Sequence, residues 1–426
     1  MPRATAPHER RPPQPAIAAA AAVAVALLAA ACQTSSGGAP AGGQHGSSQA
    51  NPVRISISPA SGSVSVRPDK PILVTVGGGT LKTITVTGAK VTGTLNSAHT
   101  AWKSDWTLPV AKTLTVTATA ASASGRTRTE SSTFRTLVPA QTFTTMIFEG
   151  YHQTYGVGMP IMLLFSTPIK NRAAVERSLV VKTSKPVVGA WYWDGDQTLV
   201  FRPRDYWPAH TQVSFVGHLN GVEGAPGVWG HHTLTQQFSI GRSLIALVST
   251  RTHHLRLYRD GKLFRYWAVS TGRPGDDTPN GAYLTIEKHN PVLMKGPGYA
   301  IEVPWSVRVT WSGVYLHDAP WSVGAQGFVN VSHGCVNMHP ADATLYYHMA
   351  VPGDPVTITG SPKAGRWDNG WTEWFLSWAQ LLRGSALHMA VVAGPDGSKF
   401  VSPATLTAST AKAPLGTSKP GNARAH

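Results

Sequence analysis

The chain has 426 residues, 42% of them apolar and 14% charged, and 37 Lys and Arg against 21 Asp and Glu give it a formal charge of +16. That length excludes a single small module and allows two to four domains of ordinary size, each able to bury a core. With 42 Gly and 32 Pro, the composition points away from a helical bundle and toward turn-rich β domains joined by linkers.

Residues 1–32 read as an export signal. Arg10 and Arg11 precede an apolar run from Ala16 to Ala31 that is too short to span a bilayer comfortably. The run ends in Leu28-Ala29-Ala30-Ala31-Cys32, a lipoprotein-like cleavage box in which Leu28 lies one position further from Cys32 than usual. Cys32 is therefore expected to carry a lipid, which would hold an exported chain on the outer face of the cytoplasmic membrane. Nucleic acid is not an expected partner for such a chain. Residues 33–52, rich in Gly, Ser, Ala and Gln, read as a flexible tether.

Residues 53–137 alternate apolar and polar in short runs such as Val53–Ile57, Ile72–Val76 and Leu114–Thr119, punctuated by Gly and Pro. This predicts a β-sandwich. Residues 138–241 predict a second one, with strands at Ile161–Phe165 and Leu199–Phe201 and a short helix at Asn171–Ser178. The basic excess is uneven: residues 52–137 hold 10 Lys and Arg against 3 Asp and Glu, residues 242–360 hold 10 against 8. The first module is thus the expected contact for an anionic membrane surface or wall polymer.

Residues 242–360 predict a mostly β domain. Leu244–Ser249 reads as a strand, Asp260-Gly261 as a hairpin turn between Leu255–Tyr258 and Leu263–Trp267, and Ala282–Ile286 as a further strand. Pro340–Met349 reads as its one helix, with Pro340 at the first position. In residues 361–388 the spacing of Trp367, Trp371, Trp374, Trp378 and Leu382 predicts one face of a helix packed on this domain, capped by Asp368-Asn369 and ended by Gly384. Residues 389–426 read as a disordered tail.

The chemistry concentrates at Ser332-His333-Gly334-Cys335-Val336-Asn337, with His317 upstream. If Cys32 is lipidated or removed, Cys335 has no partner for a disulfide, and a lone thiol in an exported chain calls for a reason. Imidazoles beside a thiol can hold it as the nucleophilic thiolate. A glycine before the cysteine lets backbone N–H groups turn toward a reacting carbonyl. His333, Cys335 and His339, completed by His317 or His348, form a weaker metal-binding alternative, since no second cysteine stands at ligand spacing. The pairs His231-His232 and His253-His254 read as structural, and Asp276-Asp277 as a solvated turn.

Fourteen residues, Asp318 to Val331, separate His317 from Ser332. The stretch His317 to Asn337 resembles the signature of L,D-transpeptidases of the YkuD family, a histidine followed at a fixed interval by Ser/Thr-His-Gly-Cys-x-Asn. The segment His317–Gly327 is similar to the mycobacterial enzymes, as is the order of parts: lipobox, two immunoglobulin-like modules, catalytic domain, Trp-rich C-terminal segment. The resemblance implies a mainly β fold, with two immunoglobulin-like sandwiches before a β-rich catalytic domain and a short C-terminal helical segment. It implies Cys335 as nucleophile, His317 as general base or acid, His333 as an assisting group, and the N–H groups of Gly334 and Cys335 as oxyanion donors. Tyr299, Ser312, Gly313, Ser332 and Asn337 match positions that contact the peptidoglycan stem peptide. The implied reaction is a 3→3 cross-link through a cysteine thioester, with no cofactor and no metal, and with acylation by carbapenems. Asp318 stands where a serine is usual, and the lid segment Lys288–Val303 looks shorter. A thiol-dependent L,D-carboxypeptidase and a non-catalytic wall-binding lipoprotein are the alternatives.

Overall fold

The computed structural model describes residues 52–296 and 298–409. The export signal, Cys32 and nearly all of the tether lie outside them. No helix among the described residues is long and apolar enough to cross a membrane.

Two immunoglobulin-like sandwiches precede a third, larger β unit. In the first, a four-stranded sheet (Arg54–Ser58, Leu73–Gly77, Ala101–Ser104, Gly93–Leu95) faces a three-stranded one (Thr80–Thr87, Thr113–Ala121, Thr127–Arg135). The period of two decides which side is buried. Along Thr113–Ala121, Leu114, Val116, Ala118 and Ala120 are fully buried. Thr115, Thr117 and Thr119 point outward and each hydrogen-bonds a hydroxyl on the next strand at 2.9 Å.

The first sandwich is locked to the second. Trp106 stacks on His218 at 3.8 Å, Arg67 pairs with Glu223 at 2.7 Å, and Thr107 Oγ1 donates to Asn220 O at 2.7 Å. Gly221 has a φ of +82° and lies so close to Leu108 that a Cβ there would meet its carbonyl oxygen at 1.9 Å. Only glycine fits both constraints.

The second sandwich pairs a four-stranded sheet with a six-stranded one. The short helix Arg172–Arg177 falls within the predicted segment. The six-stranded sheet departs from the sequence reading, because Ala390–Gly394 and Gly397–Val401 are two of its strands. Residues expected to be a disordered tail thus form β structure, followed by the helix Pro403–Ser409. The polar composition misled: Val391 and Ala393 join the core, Ala390 is buried, Phe400 packs against the core, and the stretch pairs with Val187–Gly189. Residues 410–426 lie outside the described residues.

The third unit is a nine-stranded sheet. Its strand order runs Gly281–Leu284, Pro355–Thr359, Leu244–Ser249, His254–Arg259, Lys262–Ser270, Val336–Met338, Tyr315–Asp318, Ser306–Arg308, Glu287–His289. The predicted hairpin is present, with Asp260 and Gly261 both at positive φ (49° and 79°) as a primed turn needs. The helix spans Pro340–Met349 as predicted and packs on Tyr315–Asp318. A separate two-stranded hairpin, Val292–Gly296 with Tyr299–Val303, forms the lid segment.

The Trp-rich segment is not one helix. Trp367 and Trp371 lie in turns, Glu373–Phe375 is a single 3₁₀ turn, and only Trp378–Gly384 is α-helical. Leu376 is extended (ψ 132°) and separates the two. Ser377, not Asp368-Asn369, caps the helix, in a capping box with Gln380. The segment packs on the second sandwich as well as on the catalytic unit. Trp374 donates to Gly158 O at 2.8 Å and lies under Arg202, and Phe375 packs on Tyr283. Two buried carboxyls, Glu149 and Asp354, and the half-buried Glu373 mark this junction. Burial pushes Glu149 up to about 8, although the Met162 N–H opposes it, and pushes Glu373 up to about 7. Burial also raises Asp354 to about 7 against the opposing charge of Arg242, its partner at 3.2 Å.

Candidate active site

Cys335 ends a tight turn built by the residues before it. Ser332 Oγ donates to Cys335 O at 2.7 Å and accepts the Gly334 N–H at 3.1 Å. Gly334 has a φ of +120°, which L side chains rarely adopt, and its carbonyl accepts from Thr278 Oγ1 at 2.8 Å. The Ser332 backbone is strapped to Thr271 and Arg273 by two further bonds of 3.0 and 2.9 Å. The thiol is thus held by a hydrogen-bonded frame on a strand end, which keeps it in one place.

The strands Tyr315–Asp318 and Val336–Met338 run parallel, with Leu316 opposite Val336 and His317 opposite Asn337. One step back sets Cys335 beside Tyr315, whose backbone N–H bonds the sulfur. Tyr315, His317, Asn337 and Cys335 therefore share one face of the sheet, by the two-residue alternation. The thiol donates to Gly313 O at 3.5 Å. His317 Nδ1 lies 2.7 Å from Asp318 O, so Nδ1–H is the donor and Nε2 keeps the lone pair. Asp318 acts on the histidine through its backbone carbonyl, while its own Oδ1 is buried without a hydrogen bond.

Burial pushes the Cys335 thiol up to about 11, against the Tyr315 N–H that favours thiolate. Burial lowers His317 to about 4, against the Asp318 carbonyl that favours imidazolium. Both groups are therefore neutral near pH 7. Desolvation disfavours both charged forms.

The remaining predicted residues divide. Tyr299, on the lid hairpin, stacks on exposed His333 at 4.6 Å. Ser312 and Gly313 form a turn on the wall of a cleft of about 610 Å³, which His333 and Gly334 also line. Two others differ from expectation. Asn337 is 3% exposed and spends its amide on Ser322 Oγ at 3.0 Å, and Ser332 is 5% exposed and bonded within the turn. Neither lines the cleft; both brace the frame. The Gly334 N–H, expected as one of two oxyanion donors, is likewise occupied by Ser332 Oγ.

The far wall of the cleft was not legible in the motif. Lys363, Arg366, Asp368 and Asn369 line the cleft, as do Asp276 and Asp277. Asn369 clamps the Ser312 turn, accepting Ser312 N–H at 2.8 Å and donating to Ser312 Oγ at 2.9 Å. Asp276-Asp277, read as a plain turn, is thus part of the cleft rim. The histidines weighed as metal ligands are dispersed: His339 caps the helix Pro340–Met349, and His348 packs on Trp305. Among the described residues no cluster of three or more His, Cys, Asp or Glu could hold a metal ion.

Residues 243–358 match the L,D-transpeptidase catalytic domain family, and residues 63–223 match the bacterial Ig domain family. L,D-transpeptidase 2 of Mycobacterium tuberculosis (strain CDC 1551 / Oshkosh) is 30% identical over 342 residues, covering 75% of this chain and 84% of that protein. L,D-transpeptidase 5 of Mycobacterium tuberculosis (strain ATCC 25618 / H37Rv) is 32% identical over 349 residues, 78% of this chain and 77% of that one. Among solved structures, LD transpeptidase LdtMt1 in complex with imipenem is 34% identical, with a TM-score of 0.44 over 52% of this chain and 100% of that chain.

Proposed function

The chain belongs to the L,D-transpeptidase family, and from that premise we propose that it cross-links peptidoglycan stem peptides through a thioester on Cys335. His317 Nε2 takes the thiol proton as Sγ attacks the carbonyl carbon of the third stem residue. The tetrahedral oxyanion is received by the Cys335 N–H, and His317 returns the proton to the departing D-alanine amine. The amine of a neighbouring stem then attacks the thioester, the Cys335 thiol reforms, and a 3→3 amide cross-link results. His333 and Tyr299, stacked on each other, frame the donor stem, and the Ser312-Gly313 turn guides its backbone. The mechanism calls for no cofactor.

The observation that carries this reading is geometric. His317 is buried with Nδ1 tied to Asp318 O, which leaves Nε2 its lone pair, and it shares a sheet face with the half-buried Cys335, next to Gly334 on the cleft wall. Such a pair transfers a proton during attack and needs no standing charge. A carbapenem would acylate the same sulfur through its strained carbonyl. We further propose that the chain is exported and lipid-anchored at Cys32, so that the catalytic unit works in the wall outside the membrane.

The test is incubation with a disaccharide-tetrapeptide and mass spectrometry of the products. A dimer lacking one D-alanine, absent with Cys335→Ala, supports the proposal. Tripeptide alone would make the enzyme a carboxypeptidase instead. Neither product, together with no carbapenem adduct on Cys335, would overturn it.

A further inference from the structure

The cleft that reaches Gly334 holds a cation whose ammonium has no ion pair or hydrogen bond among the described residues. This is Lys363, which is exposed and lines the cleft together with His333 and Gly334. Its backbone is fixed. Asn280 N–H donates to Lys363 O at 2.9 Å, Lys363 N–H donates to Ser361 Oγ at 3.1 Å, and Asn280 Oδ1 accepts the Ser361 N–H at 3.0 Å. A parallel bridge joins Asn280 to Ala364. Two residues before Asn280, Thr278 Oγ1 accepts the Gly272 N–H at 2.8 Å and donates to Gly334 O at 2.8 Å. The segment from Thr278 to Asn280 thus ties the turn that carries the nucleophile to the backbone that carries Lys363. The two attachment points are about 7 Å apart along an extended chain.

Most other charges of the lining are engaged. Arg366 is paired with Asp368 through two bonds of 3.0 and 2.6 Å, and Asp276 with Arg273 at 2.8 Å. Asp277 takes only the Gly275 N–H, at 3.3 Å. Among the described residues the cleft therefore presents one cation and one anion outside any ion pair, Lys363 and Asp277. A carboxylate in the cleft is drawn to the first and repelled by the second. Attack on the carbonyl of the third stem residue brings such a carboxylate with it. The D-alanine to be expelled is bonded to the attacked carbon, and its terminal carboxylate lies within about 5 Å of that carbon. Shape alone does not tell this carboxylate from its amide, whereas an unpaired ammonium on a flexible four-carbon stem does.

We propose that Lys363 is a specificity-determining residue that binds the terminal carboxylate of the D-alanine to be expelled, so that the donor stem is chosen by its free acid end. The inference rests on the L,D-transpeptidase reading of Cys335. The test offers the full chain the disaccharide-tetrapeptide or its C-terminal amide as donor, and follows release of D-alanine or D-alaninamide by mass spectrometry. kcat/KM is expected to favour the acid by about three- to tenfold, carried by KM because the contact is the same before and during attack. Lys363→Gln should bring that ratio near one with Tm unchanged, and Lys363→Arg should keep it. Equal use of both donors by the parent chain overturns the proposal. So does a ratio that Lys363→Gln leaves intact, including a loss of activity shared by both donors. Release from neither donor by the parent chain would instead overturn the L,D-transpeptidase reading, and this inference with it.

Discussion

The protonation state of Cys335 is the sharpest quantity to measure. Burial raises the thiol from the ordinary value near 9 to about 11. A shift of about two units corresponds to roughly 2.7 kcal/mol against the thiolate. At pH 7 the thiolate fraction is then on the order of one in ten thousand, about a hundredfold below that of a free thiol with the ordinary value. His317, lowered to about 4, supplies no imidazolium at that pH to change this. The assay is the pH dependence of carbamidomethylation by iodoacetamide, a small electrophile that offers no substrate contacts, with Cys32→Ser in the background so that only Cys335 reacts. The logarithm of the rate should rise with a slope of about one from pH 6 upward, with no plateau before pH 9. Acylation by a carbapenem should be much flatter from pH 5 to 8, because there His317 accepts the proton during attack. It should fall only below about pH 5, as His317 becomes protonated. His317→Gln should leave the alkylation profile nearly unchanged and slow acylation by about 10²–10⁴-fold. An alkylation plateau between pH 5 and 7 would refute the argument, since it would mean a standing thiolate–imidazolium pair.

Other outcomes follow from the frame and the junctions. Glu149 is raised from 4.5 to about 8, so the folded state holds its proton more tightly than the unfolded chain. The contribution of Glu149 to stability is therefore fully present below pH 4.5 and is lost as pH rises toward 8, by at most roughly 5 kcal/mol, and Glu149→Gln should remove that dependence in thermal melts. Asn369→Ala removes both bonds to Ser312; kcat/KM with a tetrapeptide substrate should drop several-fold while Tm moves by only a few degrees. Gly221→Ala should cost about 2–4 kcal/mol and uncouple the two sandwiches. Differential scanning calorimetry should then resolve an earlier transition for the first module, and a single unshifted transition would count against the close contact with Leu108.

The sequence was most legible where one residue pattern answers to one local geometry. The helix at Pro340–Met349, the primed turn at Asp260-Gly261 and the alternation of the first sandwich each rest on nearest neighbours along the chain. That His317 and Cys335 come to neighbouring parallel strands follows the interval between them in the motif. What could not be read depended on partners distant in sequence. Asn337 and Ser332 look like exposed polar groups of a motif, yet Ser322 and the Cys335 carbonyl claim them. Asn369, more than thirty residues past the cysteine, reaches the cleft only because the Trp-rich segment folds back between two modules. That segment misled because bulky residues at helical spacing also suit an irregular coil, in which Trp367 packs on Tyr192, Trp371 on Phe148 and Trp374 on Tyr206. The resting charge of the thiol escaped because burial, which opposes both ionised forms, is not written in the motif.

The two strands at residues 390–401 have a further consequence for how the molecule comes together. They complete a sheet whose other members precede the catalytic unit, so the second sandwich is discontinuous and the catalytic unit is an insertion within it. A chain made from its N-terminus therefore presents Cys335 before the sandwich that carries it can close, and the strands Ala390–Gly394 and Gly397–Val401 close it. The catalytic unit is tethered at both ends to one rigid body, so it cannot swing about a single linker as a bead on a string would. Within residues 52–409 the sandwiches act as a fixed spacer rather than a joint.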